Sequence, residues 1–152
     1  MSDLLRKLEN ASTEDLLEED RARLDQFWDE IKGLIDEFAD RHMPSQVTNA
    51  ILAAIERLEQ AIAIARRRVL LKEDLDNKSA QLAKLEEELE REGSEEGRKR
   101  LREQIEALQR QMQLVENQLE VERRRLADEC EQVAAAVSQI RIAMNLRYRK
   151  RV

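Results

Sequence analysis

Apolar residues recur every three or four positions along most of the chain, and this spacing predicts amphipathic α-helices rather than strands. The first apolar stripe consists of Leu17, Leu24, Trp28, Ile31, Ile35 and Phe38. It predicts a helix over about 13–41. The start is placed at Ser12 or Thr13, because Ser12 followed by Asp15 has the form of a capping box. The end is placed before Pro44, since the residue that precedes a proline avoids helical angles.

Two longer stripes follow and predict helices over about 46–91 and about 95–146. Ser45 is expected to cap the first of them, and Ser94 to cap the second after a break at Gly93. The apolar positions of the first are Val47, Ile51, Ile55, Leu58, Ile62, Leu71, Leu75, Leu82, Leu85 and Leu89. Those of the second are Leu101, Ile105, Leu108, Met112, Val115, Leu119, Leu126, Cys130, Val133, Val137, Ile140 and Met144.

The two long stripes match each other when the chain folds back at Gly93, and we call the matched positions the seam. Leu85 then faces Leu101 and Ile55 faces Val133, while the heptad repeat slips at the same height on both helices. Residues 50–65 carry apolar side chains on more of the helix surface than the seam alone requires. We therefore expect an all-α fold, a long antiparallel coiled-coil hairpin whose base carries the N-terminal helix as a three-helix bundle. A two-helix arm is expected beyond the base.

Composition supports an elongated shape with few chain reversals. Charged residues make up 39% of the chain and aromatic residues 3%, and there are three glycines and one proline. We therefore expect a single elongated helical domain over 1–152. Its parts are an N-terminal segment (1–11), a first helix (12–43), a second helix (45–92), a third helix (94–146) and a basic tail (147–152).

The sequence predicts a cytoplasmic protein. No stretch approaches the roughly 20 apolar residues that a membrane-spanning helix needs, and the first residues do not resemble a secretory signal. Cys130 is the only cysteine, which excludes a disulfide within the chain and fits a reducing compartment.

The sequence offers little for catalysis. His42 is the only histidine and lies next to a predicted turn, whereas Cys130 occupies a seam position, where a thiol acts as a small apolar group. No metal-ligand spacing, nucleophile elbow or glycine-rich phosphate loop is present. We therefore expect no enzyme activity, no cofactor and no bound metal.

The first helix carries most of the aromatic residues, and this makes it a candidate subunit or partner interface. Aromatic side chains bury large areas and are enriched at interaction hot spots. The candidate residues are Leu24, Phe27, Trp28, Ile31, Ile35 and Phe38. The alternative is that the same side chains only hold the first helix on its own hairpin.

Basic residues form two further candidate sites. The first is a predicted basic waist at one height of the hairpin, made of Arg66, Arg67, Arg68, Arg123, Arg124 and Arg125. It would bind phosphate or an acidic partner, unless the guanidinium groups point in different directions and pair with nearby carboxylates. The second is the basic tail of Arg147, Arg149, Lys150 and Arg151, which would bind anionic lipid or nucleic acid. The alternative is that the acidic first helix neutralises the tail.

Two smaller features complete the candidates. Leu4, Leu5 and Leu8 would form a short amphipathic helix, and we favour its docking on the bundle over its insertion into a membrane. Glu95 and Glu96 lie at the tip of the hairpin, where they would contact the active site of a larger enzyme.

Three functional hypotheses follow, in order of preference. The first is a non-enzymatic coiled-coil scaffold or adaptor that self-associates through its base and presents its arm to a protein partner of unknown identity. The second is a curvature-sensing or filament-forming protein that meets membranes through the basic waist and tail. The third is a regulator that acts through the acidic tip. Binding to nucleic acid is not expected.

Overall fold

A computed structural model describes the backbone of residues 2–151 and the side chains of residues 3–145. This part of the chain contains four α-helices and no strand. The helices are α1 (Ser2–Asn10), α2 (Glu18–Asp36), α3 (Ser45–Arg91) and α4 (Glu95–Arg151). The predicted all-α helical hairpin, formed by α3 and α4, is confirmed.

The chain packs as two compact units. Residues 1–66 and 124–152 form the first, which we call the bundle unit; it contains α1, α2, the first part of α3 and the last part of α4. Residues 67–123 form the second, which we call the hairpin unit; it contains the remaining parts of α3 and α4 and the turn that joins them.

The bundle unit has a continuous hydrophobic core. All the predicted seam positions of α3 and α4 in this unit are buried except Met144, which is half-buried. Ala54, Ala61 and Ala65 are buried as well, because α3 packs on α4 with one face and on the N-terminal helices with another. The largest fully buried side chains are Leu8, Leu24, Ile31, Ile35, Val47, Ile51, Ile55, Leu58, Ile62, Val133, Val137 and Ile140. Each contributes about 1.5–3 kcal/mol through the burial of apolar area.

The hairpin unit is held by a narrower seam. Leu108 and Val115 are buried, and the other predicted seam positions of this unit are half-buried. This pattern is typical of two paired helices, in which each seam side chain is covered by the facing helix and its edges stay in contact with solvent. No predicted seam position between residues 67 and 123 is exposed, so the seam is confirmed here as well.

The turn between α3 and α4 is built on Glu92 and Ser94. The Ser94 hydroxyl accepts a hydrogen bond from the Gly97 N–H at 3.1 Å, which confirms Ser94 as the cap of α4. The Glu92 carboxylate accepts hydrogen bonds from the Ser94 N–H at 3.2 Å and from the Ser94 hydroxyl at 3.1 Å. The backbone carbonyl of Glu92 accepts a further hydrogen bond from Nε of Arg98 at 2.9 Å.

The start of α2 differs from the prediction. The helix begins at Glu18, with Leu17 as a cap residue that makes no side-chain hydrogen bond. The Ser12 hydroxyl accepts a hydrogen bond only from the Glu14 N–H, at 3.4 Å. The Thr13 hydroxyl instead donates a hydrogen bond to the Asp25 carboxylate. These bonds keep residues 11–17 in a turn, so the capping-box pattern at Ser12 does not start a helix.

The other helix ends also show small differences. After Asp36 the chain continues in turns. In one of them the N–H of Phe38 donates a hydrogen bond of 3.0 Å to the carbonyl of Ile35, and the Phe38 side chain is buried. At the start of α3 the Pro44 carbonyl accepts both the Thr48 N–H and the Thr48 hydroxyl. Ser45 is therefore the first residue of α3 rather than its cap.

The N-terminal segment forms α1, which packs against the other helices of the bundle unit. Leu4 and Leu8 of α1 are buried in the core, and Leu5 packs against it. This confirms docking as the role of the three leucines. The candidate basic tail, formed by Arg147, Arg149, Lys150 and Arg151, lies outside the residues whose side chains are described.

Candidate protein-binding surface

Three large aliphatic side chains of the hairpin unit are strongly exposed to solvent. Leu70 is 66% exposed, Leu114 is 64% exposed and Val121 is 53% exposed. In the bundle unit, Ile142 is the one large aliphatic residue of comparable exposure among the described residues, at 48%. Single exposed aliphatic residues are common in soluble proteins, but a group of them marks a site of interaction.

The three exposed side chains line one groove, which we call the apolar groove. Leu70 and Leu71 contribute the α3 side. Leu114, Asn117, Gln118 and Val121 contribute the α4 side. The groove has a volume of about 590 Å³ and is formed by only two helices. It therefore covers a ligand from one side only, whereas a small-molecule pocket covers most of its ligand.

A second groove continues the same face of the hairpin unit. Its α3 side is formed by Gln81, Lys84, Leu85 and Glu88, and its α4 side by Gln104, Ala107, Leu108 and Gln111. On each helix these positions and those of the apolar groove recur at intervals of three and four residues. In paired helices such positions lie along one face. We call this second groove the amide groove, because three of its eight residues are glutamines.

The two grooves carry little net charge. At the edge of the apolar groove, Nη1 of Arg67 lies 3.9 Å from the carboxylate of Glu122. The side-chain amide of Gln113, which lies outside the groove, donates a hydrogen bond of 3.1 Å to Oδ1 of Asn117. The remaining polar residues of the apolar groove are uncharged amides. Lys84 and Glu88 balance each other in the amide groove. The face is thus neutral within a chain of net charge −6.

The predicted aromatic stripe packs mainly inside its own chain. Leu24, Ile31, Ile35 and Phe38 are buried in the core of the bundle unit, and Phe27 and Trp28 are half-buried against it. Nε1 of Trp28 donates a hydrogen bond of 2.9 Å to the carbonyl oxygen of Leu8. These contacts are the ones expected if the stripe holds α2 on its own hairpin. An interface through the stripe stays a prediction, which now concerns the exposed parts of Phe27 and Trp28.

Three of the predicted waist arginines lie in the bundle unit. Arg66, Arg124 and Arg125 are all exposed. Nη2 of Arg66 donates a hydrogen bond of 3.3 Å to the backbone carbonyl of Ser12. This contact ties the loop between α1 and α2 to α3.

The other three waist arginines lie in the hairpin unit and have different surroundings. Arg67 lies beside Glu122, and Arg123 makes two hydrogen bonds of 2.7 and 2.9 Å to the carboxylate of Glu120. Arg68 is buried, with 6% of its surface exposed. Within this unit the three guanidinium groups therefore do not form one open cationic face.

The remaining candidates are individual residues rather than clusters. Glu95 and Glu96 are exposed in the first turn of α4, and His42 is exposed between α2 and α3. Cys130 is 1% exposed in the seam of the bundle unit, and this burial raises the pKa of its thiol above the ordinary value. A thiol held in its neutral form is a poor nucleophile.

The described residues contain neither a cluster of metal-ligating side chains nor a helix able to span a membrane. Nowhere among them do three or more His, Cys, Asp or Glu side chains come together as a metal site would require. None of the helices, over the same residues, combines the length and the apolar character needed to cross a bilayer.

The apolar groove was not predicted from the sequence. Its signal was the occurrence of two large aliphatic residues side by side, Leu70 with Leu71 and Leu114 with Val115. Neighbouring residues on a helix are about 100° apart, so only one of each pair lies in the seam. The other residue of each pair has to be covered by a different contact or left exposed.

Comparisons with protein-family models, with curated proteins and with solved structures find no match to this chain.

Proposed function

We propose that this chain is a non-enzymatic coiled-coil scaffold or adaptor, which binds a protein partner with the apolar groove of its hairpin unit. The observation that carries the proposal is the exposure of Leu70, Leu114 and Val121 in one groove. Leaving these three side chains in water is unfavourable, and their burial against a partner would contribute to the affinity.

The shape of the groove favours a helical partner. A shallow groove between two helices that lie side by side fits the apolar stripe of a third helix. The side chains of that stripe, at intervals of three and four residues, enter the groove. The amide groove extends the same face, and its glutamines can donate and accept hydrogen bonds at the polar rim of such a contact. A reducing compartment such as the cytoplasm fits the free and buried thiol of Cys130.

Site-specific photo-cross-linking tests the proposal. A benzophenone side chain at Gln118, in the groove, should give a covalent adduct with a protein in the cells that produce this chain. The matched control carries the same group at Gln132, an exposed glutamine of α4 in the bundle unit. An adduct at Gln118 and none at Gln132 supports the proposal. Equal labelling at both positions, or none at either, rejects it.

A further inference from the structure

We propose that the partner in the apolar groove is a second copy of this chain, bound so that α4 of each copy lies antiparallel on α4 of the other. This inference rests on the proposed protein-binding role of the groove and specifies its occupant. It places the self-association surface in the hairpin unit rather than on the aromatic stripe of α2.

The charge of the groove face favours a contact between two identical surfaces. In a two-fold symmetric contact each surface meets its own copy, so any excess of one charge on that surface repels itself. The chain as a whole carries a net charge of −6. The apolar groove is neutral, because Arg67 is next to Glu122 and its other polar residues are amides.

The uncharged residues of the face are also self-complementary. The amides of Asn117 and Gln118, in the apolar groove, can each donate to and accept from a carboxamide group of the other copy. The exposed aliphatic residues, Leu70, Leu114 and Val121, need only apolar neighbours. Two copies in contact would bring six such side chains together.

The spacing of Leu114 and Val121 on α4 allows two copies to pair about a two-fold axis. Leu114 and Val121 are one heptad apart, with Asn117 and Gln118 midway between them. When two such helices run antiparallel about that midpoint, Leu114 of each copy lies opposite Val121 of the other. The arrangement is the antiparallel coiled-coil pairing that the chain already uses between α3 and α4. A parallel arrangement would instead place each residue opposite its own copy.

The first test is the molar mass of the full chain by sedimentation equilibrium, at concentrations that span about two decades. The wild-type chain should approach twice its monomer mass of 17.8 kDa. Leu114→Glu should raise the dissociation constant by at least about 30-fold, because two carboxylates would be buried in each dimer. Leu114 is 64% exposed, so the circular dichroism spectrum of the variant should stay unchanged, as should its melting temperature at concentrations at which both chains are monomeric.

Ile142→Glu is the matched control. Ile142 is a comparably exposed aliphatic residue of α4, but it lies in the bundle unit. Its substitution should leave the dissociation constant unchanged. Equal weakening by both substitutions would overturn the proposal, because it would show a general effect of added negative charge.

A pair of double variants tests the antiparallel arrangement. Leu114→Lys combined with Val121→Glu places a cation of each copy opposite an anion of the other, whereas Leu114→Glu combined with Val121→Glu places like charges together. We expect the first double variant to dimerise at least about tenfold more tightly than the second. Equal affinities would overturn the antiparallel contact.

The outcomes separate this inference from the proposed function. A wild-type chain that stays monomeric, with a groove that still cross-links to another protein through Gln118, overturns the second-copy inference and leaves the binding role intact. A dimer unaffected by Leu114→Glu overturns the inference as well, because the two copies then meet elsewhere. A groove that neither dimerises nor cross-links removes both proposals.

Discussion

The indole nitrogen of Trp28 donates a hydrogen bond to the backbone carbonyl oxygen of Leu8, across 2.9 Å and 20 residues of sequence. This bond joins α2 to the last turn of α1, where the same carbonyl oxygen also accepts a hydrogen bond from the Ala11 N–H at 3.0 Å. A helix of nine residues such as α1 is too short to be stable in isolation. Its helical state therefore depends on this bond and on the burial of Leu4 and Leu8.

The Trp28 bond predicts the effect of a conservative substitution. Trp28→Phe keeps an aromatic ring in place but removes the donor, and we expect it to lower the free energy of unfolding by about 1 kcal/mol. Hydrogen exchange of the amides of α1 should become faster, while that of the hairpin unit stays unchanged. Urea unfolding combined with exchange mass spectrometry measures both effects. Unaltered exchange in α1 would show that the bond does not hold this helix.

Two glycines in helices predict different responses to alanine. In α2, a Cβ added at Gly33 has no heavy atom within 4 Å, so Gly33→Ala should raise the stability by about 0.5–1 kcal/mol through helix propensity. In α4, a Cβ added at Gly97 would lie 2.5 Å from Cδ of Glu92. The Glu92 side chain must then move and lose its bonds to Ser94. Gly97→Ala should therefore give no gain in the midpoint of thermal unfolding, and an equal gain at both positions would contradict this account.

The turn between α3 and α4 should depend on pH through Glu92. Hydrogen bonds from the N–H and the hydroxyl of Ser94 lower the pKa of this carboxyl below its ordinary value of 4.5. Because the pKa is lower in the folded chain than in the unfolded chain, ionised Glu92 stabilises the turn at pH above the ordinary value. That contribution is lost as the pH falls through the lowered pKa of the folded chain.

An NMR titration of the Glu92 carboxyl carbon measures this pKa directly. Ser94→Ala should move the midpoint upward toward 4.5, since it removes the hydroxyl donor. A titration midpoint of wild-type Glu92 at or above 4.5 would contradict the geometry of the turn.

Cys130 should react with thiol reagents only when the bundle unit opens. The side chain is 1% exposed, and burial raises its pKa, so the reactive thiolate is scarce in the folded state. The rate of labelling by a disulfide reagent should rise with added urea in parallel with unfolding. Above the ordinary value of 9.0, the stability should fall with rising pH, because the unfolded chain ionises this thiol first.

A substitution at Cys130 tests the same burial. Cys130→Ser should lower the stability by about 1–3 kcal/mol, because a hydroxyl in the seam would lack a hydrogen-bond partner. Cys130→Ala creates a small cavity but adds no polar group, and it serves as the control. Rapid labelling of the folded wild-type chain would show that the seam is open at this position.

The periodicity of the apolar residues was sufficient to predict the hairpin. Ile55 and Val133 are buried, and Leu85 and Leu101 are half-buried, because a heptad spacing leaves one face of each helix available for the other. The start of α2 was not predictable from the same pattern. It depends on the bond between Thr13 and Asp25, which are 12 residues apart, and no local rule includes such a contact.

The candidate binding surface was predictable only in part. The aromatic residues of α2 are typical of an interface by type, yet most of that stripe is covered by the chain itself. Leu70, Leu114 and Val121 lie beside the seam, where sequence alone does not reveal which neighbouring positions are covered. Only the packing of α3 against α4 shows that nothing within the hairpin unit covers them.

The difference in burial between the two parts of the seam also affects how the chain folds during its synthesis on the ribosome. The turn at Glu92 and Ser94 closes between near neighbours, so pairing of α3 with α4 begins there at little loss of chain entropy. Arg57 and Glu129 are 72 residues apart, and contacts of this range form later. The core of α1, α2 and the first part of α3 needs Leu126, Val133 and Ile140, which are synthesised only after these three helices. Until they emerge, the apolar faces of these helices lack these partners, and apolar surface that is exposed in this way is prone to aggregation.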